Sequence, residues 1–237
     1  TEGTVHVCAA PGFKVPGTDP ADMPVEGVKL QQFDGPHPAG LPGLHIHKIA
    51  AASEKRPAWY IGYQDVVAIG KLFVNGTISV ERVISLAGPQ VTKPRVIRTR
   101  LGASIEDLTA NELASGENRV ISGSVLDGRE ASGPYGYLGR YNLQVSVLRE
   151  GRDRELLGWQ MPGMNKFSVL PVYASASSAD GRAFGMTTNT NGSDRAIIPI
   201  GVYEKVMAFD MEPTVLLKAL AIGDTEMALA LGATELD

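Results

Sequence analysis

Glu81-Arg82-Val83-Ile84-Ser85-Leu86-Ala87-Gly88-Pro89 is the stretch whose reading decides the fold. Its β-branched and apolar core, Val83 to Leu86, predicts a buried strand. Ala87-Gly88-Pro89 ends it, because glycine loosens the chain and proline lacks the ladder donor. A second strand-like run, Arg95-Val96-Ile97-Arg98-Thr99-Arg100, follows Pro94. Ser104 with Asp107 three residues on predicts a capped helix start, with Ile105, Leu108 and Glu112-Leu113 extending it. Arg119 to Leu126 reads as a strand again. A domain boundary is therefore expected near Gly88, with a strand–helix–strand module beginning near Val91.

Upstream, Asp65 is expected to cap a helix carrying Val66, Ile69, Leu72 and Phe73 at helical spacing, closed by Asn75-Gly76. Helix then strand at this spacing is the pattern of an α/β layer. Thr4 to Ala10 and Val28 to Phe33 read as strands, separated by the proline- and glycine-broken loop from Pro11 to Gly27. Gly35 to Gly43 reads as a shaped loop, with Leu44–Ile49 and Trp59–Ile61 as short strands. Downstream of the module, Ser132 to Gly139 is a glycine- and tyrosine-rich loop. Tyr141–Leu148 alternates and is expected to pair with Arg154–Trp159 as a hairpin across Glu150-Gly151-Arg152-Asp153. Phe167–Tyr173 reads as a strand and Ala174–Arg182 as a surface loop. Val202 to Met207 is a turn or short helix. Pro213 opens a helix that Gly223 ends, and Asp224 caps a second helix ending at Gly232. A single helix between two strands suggests a β-grasp-like unit, which periodicity does not separate from another α/β layer.

The chain has 237 residues and a formal net charge of -4, so nothing electrostatic points to nucleic acid. No apolar run approaches the ~20 residues a membrane span needs. Cys8 is the single cysteine, which excludes an internal disulfide and a cluster held by cysteines. It reads as a buried structural thiol in a reducing compartment. The chain opens at Thr1 rather than Met, so it is expected to be an excised portion of a longer protein.

Candidate chemistry is sparse. His45 and His47, two apart on the expected strand, would face one way, with His37 nearby. No carboxylate or thiol cluster accompanies them, so loop-bracing hydrogen bonds are expected over a metal site. Gly133 to Gly139 lacks the flanking strand and helix of a dinucleotide loop, and Gly70-Lys71 lies inside a helix. Lys93, Arg95, Arg98 and Arg100 form a basic run, read either as a solvated edge or as a docking surface for an acidic partner. No catalytic, cofactor-binding or metal-ligating residues are assigned.

Several stretches together resemble one family. They are Gly35-Pro36-His37-Pro38-Ala39-Gly40-Leu41, Tyr63-Gln64-Asp65-Val66-Val67-Ala68-Ile69-Gly70, Ser85-Leu86-Ala87-Gly88-Pro89, Ile121-Ser122-Gly123-Ser124-Val125-Leu126, Tyr137-Leu138-Gly139-Arg140-Tyr141, Thr187-Thr188-Asn189-Thr190-Asn191-Gly192-Ser193 and Pro199-Ile200-Gly201. The family is the A subunit of the bacterial sodium-translocating NADH:quinone oxidoreductase. The resemblance runs almost end to end and is that of an inner and C-terminal portion. The chain is more remotely similar to the C subunit of the Rnf complex and to the flavin-carrying NADH subunit of respiratory complex I. The resemblance implies a fold of mixed α/β and α+β class. Residues 1–90 would be Rossmann-like, 91–130 a β-grasp module of the soluble-ligand-binding type, and 131–195 hairpins and loops. Residues 196–237 would be a helical pair derived from an iron–sulfur bundle without its cysteines.

The resemblance also implies a function. It is that of a non-redox peripheral subunit on the cytoplasmic face of the bacterial inner membrane, one part of a sodium-pumping NADH:ubiquinone reductase. Its partners would be the other subunits, with ubiquinone as the substrate of the complex. No cofactor would be bound by this portion, which alone would be inactive. An adaptor or ligand-binding module without quinone contact is the alternative.

Overall fold

The computed structural model describes residues 3–15, 18, 25–53, 55–168, 172–178, 182–193 and 195–236. They form a mixed α/β structure in two compact units, residues 1–60 with 194–237, and residues 61–193.

In the first unit, β1 (Val5–Ala9) pairs in parallel with β2 (Val28–Gln32), Val5 opposite Val28 and Ala9 opposite Gln32. The stretch Leu44–Ile49, expected as a strand, belongs instead to helix α1 (Pro42–Ala50). Leu44 and Ile46 alternate with His45 and His47 as in a strand, and Pro42 in the first turn decides for the helix. The helical pair of the tail forms as expected and is numbered last. Its core is built from Leu216, Ala219 and Ala228, with Met211, Leu231 and Ala233 packed against it.

The second unit is built on the opening stretch. Helix α2 (Tyr63–Asn75) precedes strand β3 (Glu81–Ala87), which pairs antiparallel with β4 (Arg95–Arg100), Ile84 opposite Ile97. Helix α3 spans only Ile105–Thr109, with Ser104 accepting a hydrogen bond from the Asp107 amide as its cap. It ends earlier than its apolar spacing suggests. The Thr109 hydroxyl bonds back to the Ile105 carbonyl at 2.8 Å, and Asn111 takes a positive φ of 60°. Leu113 then bridges to Val91 rather than lining the helix.

Strands β5 (Asn118–Ser122), β6 (Arg129–Glu130) and β7 (Gln144–Arg149) complete a five-stranded sheet in the order β4-β3-β7-β5-β6. The expected hairpin between Tyr141–Leu148 and Arg154–Trp159 does not form. Strand β7 lies between β3, in parallel, and β5, antiparallel. Val145 and Val147 are fully buried there, which suits a central strand and not one arm of a surface hairpin. Gly158–Gln160 is a 3₁₀ turn, opened by Leu157 at φ 51°. Trp59–Ile61 is likewise irregular. The expected strand Phe167–Tyr173 crosses residues 169–171, and the expected loop Ala174–Arg182 crosses 179–181, all outside the described residues. Ala174–Ser178 forms a 3₁₀ turn.

Ile84, Leu86, Val91, Ile105, Leu138, Val145 and Val147 form the core of this unit. They come from the inward rows of β3 and β7, the one-turn helix, the tyrosine-rich loop and, at Val91, the connection between β3 and β4. The tail helices are α4 (Pro213–Ile222) and α5 (Thr225–Ala230), with Asp224 capping α5 through the Met227 amide at 3.0 Å.

Candidate functional site

Three of the quoted motifs converge on one end of β3. Gln64, in the first turn of α2, uses its side-chain amide as a substitute strand. Its Nε2 donates to the Val83 carbonyl at 2.8 Å, and its Oε1 accepts from the Val83 amide at 2.9 Å. The geometry follows from β3. Its even-numbered residues bond to β4, so Val83 turns its backbone to the other side, where β7 begins only at Ser85.

Asp65 does not cap α2; Gly62 holds the cap position, without a side-chain bond. The carboxylate instead receives two guanidinium groups on Oδ1. One is Arg82 of β3, and the other is Arg140, at 2.9 Å. Arg82 is only 2% exposed and lies in the same row as Ile84 and Leu86. A buried cation of this kind requires a partner. The first turn of a helix is also electrostatically favourable for a carboxylate.

Arg140 leads into a cleft of about 400 Å³ lined by Ser122, Asp127, Arg129, Tyr141 and Asn142. Ser122, fully buried at the end of β5, organises its floor. Its hydroxyl donates to Asn142 Oδ1 at 2.9 Å and accepts the Gly139 amide at 2.9 Å. A side chain at 139 would put its first carbon 2.0 Å from Asn142 Oδ1, so glycine is required for this approach. Ser146 extends the network by donating to the Gly123 carbonyl at 2.9 Å. At the rim, Arg129 lies 4.9 Å from the Tyr135 ring centroid and Arg140 lies 5.2 Å from that of Tyr141. The cleft thus offers fixed hydrogen-bonding groups and cations on a stiff floor. Its serine donates to an amide oxygen with no base behind it, which suits binding and positioning rather than nucleophilic attack. Ser122→Ala should leave the Gly139 amide unpaired and destabilise this unit by about 1–3 kcal/mol, read as a lowered urea midpoint.

A second cleft, of about 360 Å³, lies between Ser104, Glu106 and Thr109 on one side and Gly133, Gly136 and Tyr137 on the other. The tyrosine-rich loop therefore separates two openings, and it is pinned between them. The Ile105 amide bonds the Gly136 carbonyl at 2.9 Å, and the Leu138 amide bonds the Ala103 carbonyl at 2.9 Å.

The motif Thr187–Ser193 is anchored at the far end of β7. Thr187 bridges to Arg149, and the Thr188 hydroxyl donates to Glu150 and accepts the Gly151 amide at 2.9 Å. Glu150 also accepts from Arg119 at 2.9 Å. The Thr188 hydroxyl, followed by Arg119, holds the Glu150 carboxyl below its ordinary value. A depressed carboxyl stabilises the fold above its unfolded value of about 4.3, and that contribution is lost as pH falls through the lower folded value. Thermal midpoints should therefore fall as pH drops below about 4.3, and Glu150→Gln should flatten part of that slope. The rest stays with Glu112 and Glu117, which Arg95 and Arg152 hold low, and with Glu204, which the Thr214 hydroxyl holds low.

His45 and His47 both make bracing contacts. On α1, His45 and His47 point to different sides, because two residues on a helix turn about 200°. His45 Nε2 meets the Ala39 carbonyl at 2.8 Å, with its ring 4.1 Å from that of Phe33. His47 Nδ1 lies 2.5 Å from Glu235, and its Nε2 accepts the Asp210 amide at 3.4 Å. Cys8 is half-buried on β1, and burial pushes its thiol up, away from reactivity. Among the basic run, Arg95 forms a two-pronged pair with Glu112 at 2.7 and 2.8 Å, and Arg98 pairs with Glu81. The node at Asp65 has no signal in the spacing of its members, which lie 17 and 75 residues apart.

The described helices include none long and apolar enough to cross a membrane. The family model described as the NqrA second alpha/beta domain matches residues 1–78, and the one described as the NQRA C-terminal domain matches residues 83–133. Among curated relatives, the A subunit of the Na(+)-translocating NADH-quinone reductase of Vibrio alginolyticus is 56% identical over 237 residues, all of this chain and 52% of that protein. Its counterpart in Shewanella amazonensis is 54% identical over 237 residues, covering 51% of its length. That of Histophilus somni is 54% identical over 236 residues, also covering 51%. The chain spans about half the length of the curated relatives it matches. Two adjoining domain models and an identity that runs from end to end agree: the chain belongs to the family of the A subunits of the Na(+)-translocating NADH-quinone reductases.

Proposed function

We propose that the chain works as part of a non-redox, peripheral subunit of a sodium-translocating NADH:ubiquinone oxidoreductase, contributing to complex assembly and to quinone reduction. The observation that carries this reading is the 56% identity over all 237 residues to a relative named as that subunit. The reading locates the subunit on the cytoplasmic face of the bacterial inner membrane, in contact with the other subunits. Residues 1–90 are then the inherited Rossmann-like part and 91–130 the β-grasp part, whose strands β4, β5 and β6 share one sheet with β3 and β7. Residues 131–195 supply β7 and the loops, and 196–237 the helical pair.

The site chemistry is compatible with that role. Its arginines, serine and asparagine hold and orient, and the sole thiol lies on β1 with its pKa raised by burial. On this reading electrons pass through other subunits. The isolated chain is expected to be colourless and inactive towards NADH; a stoichiometric flavin spectrum would overturn the non-redox assignment. Photo-crosslinking of a quinone analogue to the intact complex tests quinone contact. Labelled peptides from this chain support it. Label wholly outside these residues leaves the adaptor reading, which the polar lining of both clefts favours over an apolar quinone pocket.

A further inference from the structure

Strand β4 ends the sheet, and its outer edge is open. Antiparallel pairing alternates, and the Leu101 amide bonds the Val80 carbonyl at 2.8 Å. The register then sends the backbone groups of Arg95, Ile97 and Thr99 towards β3. Val96, Arg98 and Arg100 turn theirs outward. Their amides, and the carbonyls of Val96 and Arg98, have no protein partner among the described residues. Only the Arg100 carbonyl is engaged, by the Ala103 amide at 3.2 Å.

The side chains along this edge are cationic. Among the described residues, Lys93, Arg95, Arg98 and Arg100 meet only Glu112 and Glu81, four cations against two carboxylates. Val96 is 69% exposed on the same outward row as Arg98 and Arg100. Basic side chains on an open edge repel an identical strand, since like charges opposite each other are unfavourable. The same arrangement favours an extended strand of opposite charge.

We propose that the outer edge of β4 is a strand-addition site that takes an extended acidic segment of a partner subunit. Backbone bonds to Val96, Arg98 and Arg100 supply the register, and carboxylates beside Arg98 and Arg100 supply selectivity. The inference rests on the reading that the chain works inside a multi-subunit assembly.

Hydrogen exchange on the intact complex and on the isolated chain tests it. The amides of Val96, Arg98 and Arg100 should slow at least ~10-fold on assembly, while those of Arg95, Ile97 and Thr99, already in the ladder, change little. Val96→Pro removes one outward amide and leaves the β3 ladder intact, as proline is tolerated on an edge facing away from its neighbour. It should fold with a near-unchanged thermal midpoint and assemble at least ~10-fold more weakly. Equal exchange of the three amides in both states would overturn the proposal. So would wild-type assembly by a folded Val96→Pro, or the same protection from anionic lipid vesicles alone. A chain that joins no assembly at all would instead overturn the reading under Proposed function, and this inference with it.

Discussion

Asp65→Ala should destabilise the second unit by about 3–5 kcal/mol, a large share of the ~5–15 kcal/mol that holds a typical domain. The cost does not come from the loss of one contact. Arg82 is 2% exposed, and its guanidinium would be left charged in a low-dielectric position with only the Glu81 carbonyl, at 3.1 Å, as a partner among the described residues. Arg140 is a lesser partner, because its side chain is 50% exposed and water can replace the carboxylate. Arg140→Ala should therefore cost no more than ~1 kcal/mol. The decisive comparison is Asp65→Ala combined with Arg82→Met, which removes both charges and keeps most of the apolar stem. This double variant should recover most of the loss. Urea unfolding of the parent, the two single variants and the double variant at low and moderate salt measures the coupling. An Asp65→Ala cost below ~1 kcal/mol would mean that Arg82 finds water, and the node would then be a surface pair.

The contrast between legible and illegible parts follows the range over which each part is determined. β3, β4, α2 and the tail helices are readable because their signals are local. Alternating or helically spaced apolar residues, Ser104 before Asp107, and Asp224 after Gly223 each act within one turn. Helix α1 reads as a strand because Leu44 and Ile46 alternate with His45 and His47, and only Pro42 points to the helix. The placement of β7 is not legible because pairing is not a local property. A turn at Glu150–Asp153 makes a hairpin with the following residues reasonable, yet Val145 and Val147 bury better between β3 and β5. The candidate site lies at the illegible extreme. Gln64, Arg82 and Arg140 are scattered along the chain, and only the fold brings them to one end of β3.

Gly88 offers the other large effect, and a control makes it sharp. It sits at φ +128°, a region essentially reserved for glycine. A Cβ there would stand 2.3 Å from the Val147 carbonyl oxygen and 2.7 Å from its nitrogen. Both are backbone atoms of the central strand β7, so no side chain can rotate out of the way. Room could be made only by moving β3 away from β7 beyond Ala87↔Ser146, where their ladder ends and the Gly88 carbonyl takes the Val91 amide at 3.1 Å. The core residues Leu86, Val145 and Val147, all fully buried, would have to shift with it. Strain of about 1–3 kcal/mol and overpacking of a similar ~1–3 kcal/mol should bring Gly88→Ala close to unfolding the unit. Gly70→Ala is the same chemical change in the interior of α2, where an added Cβ meets nothing within 4 Å. There alanine's helix preference should raise stability by about 0.5–1 kcal/mol. Thermal midpoints of the two variants should move in opposite directions from the parent. A Gly88→Ala midpoint within a degree or two of the parent would mean that β3 and β7 are not in backbone contact at this point, and that the module is not closed the way the sheet order requires.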